Sequence, residues 1–262
     1  MDPRGTPFGE AKKTLLETLL DEIDKKRAII DSHRPLPEAV VRKLKEYLDV
    51  EWTYTSNAIE GSTITRQETL VILKHGLTVR GKPLVEHLEV VNHKAAIDFV
   101  EGLAKSDVPI TELEIRQIHS LILKGIDDDN AGRYRTHQVY ISGSKYVPPD
   151  PVDVPVRMRE FAAWLSKARS GIHPVECAAL AHLELVRIHP FMDGDGRTAR
   201  LLMNLILMRH SYPIAIVRPE DRLGYYDVLE GAGEGNKEDF VILMATAVNK
   251  MADIYVKAIG QR

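Results

Sequence analysis

One short segment of the sequence combines a base, a carboxylate, two glycines and two arginines. It reads HPFMDGDGRTAR and covers residues 189–200. His189 supplies a base that titrates near neutral pH, and Asp193 supplies a hard oxygen ligand suited to Mg²⁺. Gly194 and Gly196 permit a turn whose amide N–H groups form a nest for an anion. These residue types predict attack on a phosphate bond by a deprotonated hydroxyl group.

Two arginines complete the predicted phosphate site. Arg197 and Arg200 are three residues apart at the start of a helical pattern, so they share one helix face. A guanidinium group can donate two parallel hydrogen bonds to phosphate oxygens, and the positive end of the helix dipole adds to the attraction. Each feature alone is common in purely structural positions, but their combination in one short segment favours a nucleotide-binding active site.

The rest of the chain must hold this segment in place, and its hydrophobic pattern is helical. Apolar residues recur every three or four positions, which is typical of amphipathic helices. Thr65 with Glu68, and Thr111 with Glu114, have the capping-box spacing that starts a helix. We predict an early helix up to the SHRPLP break, a second from Pro37 towards Gly61, a third from Thr65, and others at 83–105, 111–124, 154–169, 174–188, 197–210, 219–230 and 237–259.

The segment GRYRTHQVYISGSKYVPPDP has a different composition. Aromatic and β-branched residues flank SGS and three prolines follow, which predicts a short β-hairpin and a loop around residues 141–144. The predicted fold class is therefore all-α, a helical bundle with one small β-hairpin flap. We expect residues 1–35 to form an N-terminal helical extension and residues 36–262 to form the core.

Composition limits the possible partners. The 262 residues carry a net charge of -3, which disfavours a general nucleic-acid binder. The single cysteine, Cys177, cannot form an internal disulfide, which favours a reducing compartment. The N-terminus has no apolar signal core, and the run from Leu201 to Met208 is shorter than the roughly 20 residues of a membrane span. We expect a cytoplasmic protein without a membrane partner.

The segment 189–200 resembles the signature of the Fic family (filamentation induced by cAMP), H-P-F-x-[D/E]-G-N-G-R-x-x-R. The resemblance extends to GRYRTHQV, VPPDP and YYDVLEGAGEG, and it is similar to animal members of the family over about 36–259. It implies a Fic domain core within residues 36–262. It also implies transfer of AMP from ATP to a Ser, Thr or Tyr hydroxyl of a target protein, with Mg²⁺, or Mn²⁺, as the cation.

The resemblance also implies a role for each matching residue. His189 would deprotonate the target hydroxyl, Asp193 would hold the metal, and Arg200 would pair with the γ-phosphate. The flap would cover the nucleotide and dock the target by strand addition. The other nucleotide-binding residues implied by the resemblance are Ile141, Ser142, Gly143, Ser144, Gly194, Asp195, Gly196, Arg197, Thr198, Tyr225 and Tyr226.

A second signature, SNAIEG, covers residues 56–61 and fits the family's inhibitory pattern [S/T]-x-x-x-E-[G/N]. The resemblance implies that Glu60 forms a salt bridge with Arg200. A carboxylate on that guanidinium group would occupy the position intended for the γ-phosphate. We therefore expect an inhibitory helix at about 45–62 and place the chain in the class with N-terminal inhibition.

Two residues depart from the family pattern. Asp195 replaces the signature asparagine, and a carboxylate inside an anion site repels phosphate. Its side chain could accept a proton, ligate the metal or turn outward. Gly233 replaces an asparagine that contacts adenine in relatives, which removes a hydrogen bond that would select the base. ATP preference and reaction rate are the properties that these two changes affect.

Several alternatives follow from these departures. One is a de-AMPylase, in which Glu60 aligns a water molecule that releases AMP from a modified protein. Others are a transferase of another nucleotide or phosphate group, and a non-catalytic nucleotide-binding module disabled by Asp195. A metal phosphohydrolase using His189 and Asp193 lacks the further ligands that such a site needs. Exposed apolar residues of the early helices would permit a homodimer.

Overall fold

The computed structural model describes residues 7–168, 171–233 and 235–260, and this part of the chain is built from helices. One turn of 3₁₀ helix covers Pro219–Asp221. The α-helices are α1 (Pro7–Ser32), α2 (Glu38–Ile59), α3 (Arg66–His75), α4 (Leu84–Ala104), α5 (Glu112–Leu123), α6 (Val154–Ala168), α7 (Pro174–Ile188), α8 (Asp195–Arg209), α9 (Arg222–Gly233) and α10 (Lys237–Ala258). Every segment predicted to be helical contains a helix.

The predicted caps explain where two of these helices begin. Thr65 accepts a hydrogen bond from the backbone of Glu68, whose side chain accepts one from Thr65 in return, and α3 follows. The same reciprocal pair forms between Thr111 and Glu114 at the start of α5. Each box satisfies two backbone donors that would otherwise have no partner at a helix end. Local sequence therefore sets these two boundaries.

The core of the molecule surrounds α8. Leu201, Leu202 and Leu205 are fully buried on this helix, and α7, α4, α5 and α2 pack against it. The apolar side chains of such a helix stabilise it only where neighbouring helices cover them. The loop between α7 and α8 is therefore held at one end of a rigid helix pair, and this loop contains the signature segment.

The N-terminal helix α1 packs along α10. Ile23 and Ile30 are buried in this contact region, and Lys26 pairs with Asp253 at 2.6 Å. Helix α1 thus contributes to the same core as the other helices, and the boundary near residue 35 remains a prediction. None of the described helices is both long enough and apolar enough to cross a membrane.

The β-hairpin predicted around residues 141–144 is not found, because the described residues contain no strand. Ser144 N–H donates to the Ile141 carbonyl at 3.1 Å, so the tip is a turn, but its arms form no ladder. The prolines after the tip have no N–H to donate. The Gln138 side chain donates to the Pro148 carbonyl at 3.0 Å in place of a strand. The flap is a loop held by side chains.

Candidate active site

His189 lies where α7 ends. Its backbone is left-handed, with φ 47° and ψ 61°, and its N–H donates to the Leu185 carbonyl. Nδ1 lies 3.2 Å from the Val186 carbonyl. Because a carbonyl only accepts, Nδ1 carries the hydrogen and Nε2 keeps a lone pair. Burial lowers the pKa of His189, so the imidazole is neutral at neutral pH and Nε2 can act as a base.

Asp195 points into the site and faces this imidazole. Its Oδ1 accepts a hydrogen bond from Phe191 N at 3.2 Å, and its Oδ2 lies 3.3 Å from His189 Nε2. The side chain is 1% exposed, and burial raises the pKa of its carboxyl group well above the ordinary value. The sequence left three possibilities for this side chain: accepting a proton, ligating the metal or turning outward. The outward position is wrong, because the side chain is buried. Among the described residues Oδ2 has no hydrogen-bond partner, so it lies beside the lone pair of Nε2.

The turn between the two helices is fixed by His119 on α5. Gly194 has φ 82°, and a Cβ at this position would lie 3.3 Å from the His119 ring. His119 Nε2 lies 2.8 Å from the Asp193 carbonyl, and its Nδ1 accepts from Gly132 N at 2.9 Å. Its ring stacks on Phe191 with centroids 3.6 Å apart. His119 therefore holds the turn in the conformation that only glycine adopts easily.

Asp193 is the residue of the turn that is available to a cation. Its side chain is 71% exposed, and its Oδ1 accepts a hydrogen bond from Gly194 N at 2.7 Å. Among the described residues, no group of three or more His, Cys, Asp or Glu side chains could hold a metal ion. Mg²⁺ typically binds through one or two carboxylates together with substrate phosphates and water. One exposed carboxylate beside Arg197 fits that mode of binding.

The two arginines of the signature are buried, and each contacts a carboxylate. Arg200 donates from NH2 to Glu60 Oε1 at 2.7 Å, and from Nε to the Ser56 hydroxyl at 3.0 Å. Arg197 donates from NH1 to Glu89 Oε1 at 2.9 Å. Burial raises the pKa of Glu89, although Arg197 beside it acts in the opposite direction. Both guanidinium groups are thus held in place by side chains of the protein itself.

Glu60 reaches Arg200 from the C-terminal end of α2. It follows Ile59 as the helix cap, and its side chain is 34% exposed. A Cβ on Gly196 would overlap Oε1 of Glu60, so the end of the glutamate side chain would have to shift for a larger residue at 196. Glycine at 196 therefore lets the Glu60 carboxylate lie close to the start of α8.

Arg135 connects the base to the flap. Its guanidinium group is buried and donates from Nε to the His189 carbonyl at 2.7 Å and from NH1 to the His137 carbonyl at 3.0 Å. Its backbone N–H donates to the Pro190 carbonyl at 2.9 Å. These bonds fix the left-handed backbone of His189 relative to the first arm of the flap.

The tip of the flap is fastened to α9 and α7. The Ser144 hydroxyl and the Lys145 N–H both donate to the carboxylate of Glu230, the second at 2.8 Å. The Tyr146 hydroxyl donates to the Arg187 carbonyl at 3.1 Å, two residues before His189. Of the predicted flap residues, Gly143 has φ 80°, as its turn requires, and Ile141 and Ser142 complete that turn.

The sequence and the fold match known proteins. Residues 109–207 match the Fic/DOC family. Protein adenylyltransferase Fic from Drosophila willistoni is 39% identical over 247 residues, 94% of this chain and 49% of that protein. Fic-1 from C. elegans has a TM-score of 0.85 and 32% identity, covering 96% of this chain and 73% of the solved one. The chain belongs to the Fic family.

A bacterial Fic protein shares the fold over most of its length. The Fic domain containing signaling protein from Bacteroides thetaiotaomicron has a TM-score of 0.83 and 26% identity, covering 92% of this chain and 99% of that chain. The chain spans about half the length of the curated animal relatives that it matches. The resemblance inferred from the signature segment is thereby confirmed at the level of the family.

Tyr225 and Tyr226, the aromatic pair predicted from the family resemblance, have different surroundings. Tyr225 is buried and its hydroxyl lies 3.0 Å from His182 Nε2, so this ring belongs to the core. Tyr226 is 38% exposed, and its hydroxyl donates to the Ile59 carbonyl, next to Glu60. Only Tyr226 therefore offers a face to a nucleoside. Gly233 leaves space beside Tyr146, since a Cβ there would lie 3.8 Å from that ring.

Thr198 is brought to the signature turn but does not face outward. It is fully buried, and both its N–H and its hydroxyl donate to the Gly194 carbonyl, at 3.0 and 2.8 Å. Its contribution to phosphate binding would be to hold the turn. The side chains at His189, Asp195, Arg197, Arg200 and Glu60 form one contiguous site.

Four site residues were not identified from the sequence of this Fic domain. Glu89 and His119 lie on the apolar faces of α4 and α5, and a polar residue at a core-facing helical position is the signal that could have marked them. Arg135 and Glu230 lie within segments that carried the family resemblance. Nothing in their spacing assigns them a partner.

Proposed function

We propose that this protein transfers AMP from ATP to a hydroxyl group of another protein, and that Glu60 holds it in a restrained state. The observation that carries the proposal is the 2.7 Å contact between Glu60 and Arg200, beside the neutral base His189. Relatives named protein adenylyltransferase Fic share 36–39% identity over most of the chain, which supports the same chemistry here.

The proposed reaction begins with proton removal by His189. Nε2 takes the proton of the target hydroxyl, the hydroxyl oxygen attacks the α-phosphorus, and pyrophosphate leaves. The amides of the 194–197 turn and the N-terminus of α8 stabilise the charge on the phosphate oxygens. Asp193 would hold Mg²⁺, or Mn²⁺, which supplies charge neutralisation between the phosphates when it is bound. The protonated imidazole then returns its proton to solvent or to a leaving group.

Restraint by Glu60 follows from competition for one guanidinium group. Arg200 has one strong acidic partner, and that position is also the one that suits the γ-phosphate. While Glu60 occupies it, the triphosphate binds with its α-phosphorus out of line with the attacking hydroxyl. Arg200 remains oriented without Glu60, because Ser56 accepts from its Nε and NH2.

Glu60→Gly tests this proposal. We expect incorporation of label from ATP, into the protein itself or into added proteins, to rise about ten-fold or more, since a hydrogen bond between charged groups contributes about 1.5–3 kcal/mol and each 1.4 kcal/mol is about ten-fold. Glu60→Gln, which keeps the size and loses the charge, should give an intermediate rise. His189→Ala in the Glu60→Gly background should abolish the signal, and unchanged labelling in Glu60→Gly would rule out the restraint.

Removal of AMP is a second candidate, and the charge of the site favours it. Carboxylates at Glu60, Glu89 and Asp193 pair with the arginines, and Asp195 lies beside His189, so a phosphodiester with one charge is repelled less than a triphosphate. Glu60 could then align a water molecule for attack. Incubating an AMP-modified protein with wild type and Glu60→Gly would detect this activity as free AMP that requires Glu60.

The flap provides the proposed docking segment for the target. Tyr140 and Val147 are 79% and 58% exposed, and in the described part of the chain no strand pairs with either arm. An extended target segment could therefore add along an arm and bring its hydroxyl group to His189. Docking of the target at the flap therefore does not require the two arms of the flap to pair with each other.

A homodimer is also proposed. The exposed apolar side chains Leu77 and Leu84 flank the connection between α3 and α4, with exposures of 58% and 70%. Apolar groups concentrated on one face commonly mark an interface. Sedimentation velocity should show a dimer for the wild type, and a monomer at all concentrations would contradict it.

A further inference from the structure

Arg197 has unusual surroundings for a phosphate-binding residue. Its side chain is only 3% exposed, and two carboxylates compete for it. NH1 lies 2.9 Å from Glu89 Oε1, whereas NH2 lies 3.4 Å from Asp193 Oδ2. Nε has no hydrogen-bond partner among the described residues. The position of this guanidinium group therefore depends on the balance between two acidic side chains.

The second signature arginine does not share this dependence. Arg200 donates to both the hydroxyl and the carbonyl oxygen of Ser56, in addition to Glu60. If Glu60 leaves, two neutral acceptors still hold Arg200. If the bond to Glu89 were lost, the hydrogen-bond acceptor remaining to Arg197 among the described residues would be Asp193.

The two carboxylates differ in how firmly they are held. Glu89 projects from α4, which packs against α8, and its side chain is 20% exposed. Asp193 lies in the turn, and its side chain is 71% exposed. A helix-borne, mostly buried carboxylate keeps its position better than an exposed one in a turn. The shorter contact, to Glu89, is also the more rigid one.

We infer that Glu89 is a positioning residue that draws Arg197 away from Asp193 and so leaves the Asp193 carboxylate available to the divalent cation that accompanies ATP. The inference rests on the proposed function, because it assigns Asp193 to the cation. Without Glu89, the cation must displace Arg197 from Asp193 before it binds. Mutation of residues that orient a metal ligand from outside commonly lowers the affinity for the metal.

The test measures ATP binding by calorimetry while the magnesium concentration is stepped from micromolar to millimolar. Mg²⁺ should raise the affinity for ATP, and we compare the Mg²⁺ concentration that gives half of this rise. For Glu89→Gln we expect that concentration to be about five-fold higher than in wild type, because the cation must first break an ion pair between Arg197 and Asp193 worth about 1 kcal/mol. Affinity at saturating Mg²⁺ should return close to that of wild type. Glu89→Asp, which keeps the charge, should recover part of the difference and serves if Glu89→Gln does not fold.

The matched control is Glu101→Gln. Glu101 also lies on α4 and pairs with Lys45 at 2.7 Å, and its side chain is 29% exposed. It should show the magnesium dependence of wild type. An unchanged magnesium dependence in Glu89→Gln, or tighter ATP binding at every magnesium concentration, would overturn the inference. The calorimetric test measures ATP binding and not AMP transfer. A lack of labelling by Glu60→Gly would therefore reject the proposed function without changing the outcome of the calorimetric test.

Discussion

At the scale of single residues, Asp195 is the most informative departure from the family signature. Its side chain accepts a hydrogen bond from Phe191 N, which an asparagine oxygen would also accept. The second oxygen faces His189 and Arg135 contributes positive charge nearby, so the carboxylate is accommodated without a change of fold. The negative charge, when present, lies beside the phosphate turn. The substitution therefore changes electrostatics and leaves the geometry of the turn intact.

Asp195→Asn should strengthen ATP binding. An amide carries no charge to repel the phosphates, so the gain should grow as rising pH ionises Asp195, reaching about ten-fold in dissociation constant for one charge at short range. Calorimetry with ATP and Mg²⁺ measures it. Asp227→Asn, an exposed position on α9, should behave as wild type. Equal or weaker binding by Asp195→Asn would contradict electrostatic repulsion at this position.

At the scale of secondary-structure elements, the helices could be predicted and the flap could not. The helices have apolar periodicity and, at Thr65 and Thr111, caps whose partners lie three residues away. The flap instead depends on Glu230, which is 85 or more positions distant in sequence from the groups it binds. The contact between Glu60 and Arg200 joins residues 140 positions apart, and that between Glu89 and Arg197 joins residues 108 positions apart. The Glu60 contact could be predicted only through the family resemblance.

Glu230→Gln should loosen the flap. A neutral amide accepts more weakly than a carboxylate from the Ser144 hydroxyl and the Lys145 N–H. If the flap docks the target, KM for the protein substrate should rise about three-fold while kcat changes less, since about 0.65 kcal/mol is the scale of a weakened hydrogen bond. Steady-state labelling kinetics separate the two. Glu220→Gln, just before α9, is the control, and a fall confined to kcat would contradict docking at the flap.

At the scale of the whole molecule, three buried histidines bind no proton in the folded state. Burial lowers the pKa of His119 to about 4 and that of His182 to about 3, and it lowers the pKa of His93 well below 6.5. In the unfolded chain each imidazole titrates near 6.5. The unfolded state therefore binds more protons as pH falls through 6.5, and folding stability decreases. Asp195, whose pKa is raised, offsets part of this loss.

Stability should accordingly fall in mild acid. Between about pH 7.5 and pH 5.5 each neutral buried histidine contributes about 1.4 kcal/mol, so the free energy of unfolding should decrease by about 2–4 kcal/mol after the offset. Urea denaturation at the two pH values measures the difference. Equal or greater stability at the lower pH would show that these imidazoles are not held neutral.

The most direct test of AMP transfer asks which phosphorus atom of ATP becomes attached to the protein. Glu60→Gly is incubated with Mg²⁺ and ATP that carries a radiolabel either on the α-phosphorus or on the γ-phosphorus. Attack on the α-phosphorus transfers AMP and releases pyrophosphate, so we predict stable labelling from the α-label, none from the γ-label, and neither in the variant that also carries His189→Ala. Incorporation of the γ-label, or of no label from either ATP, would contradict transfer of AMP by this site.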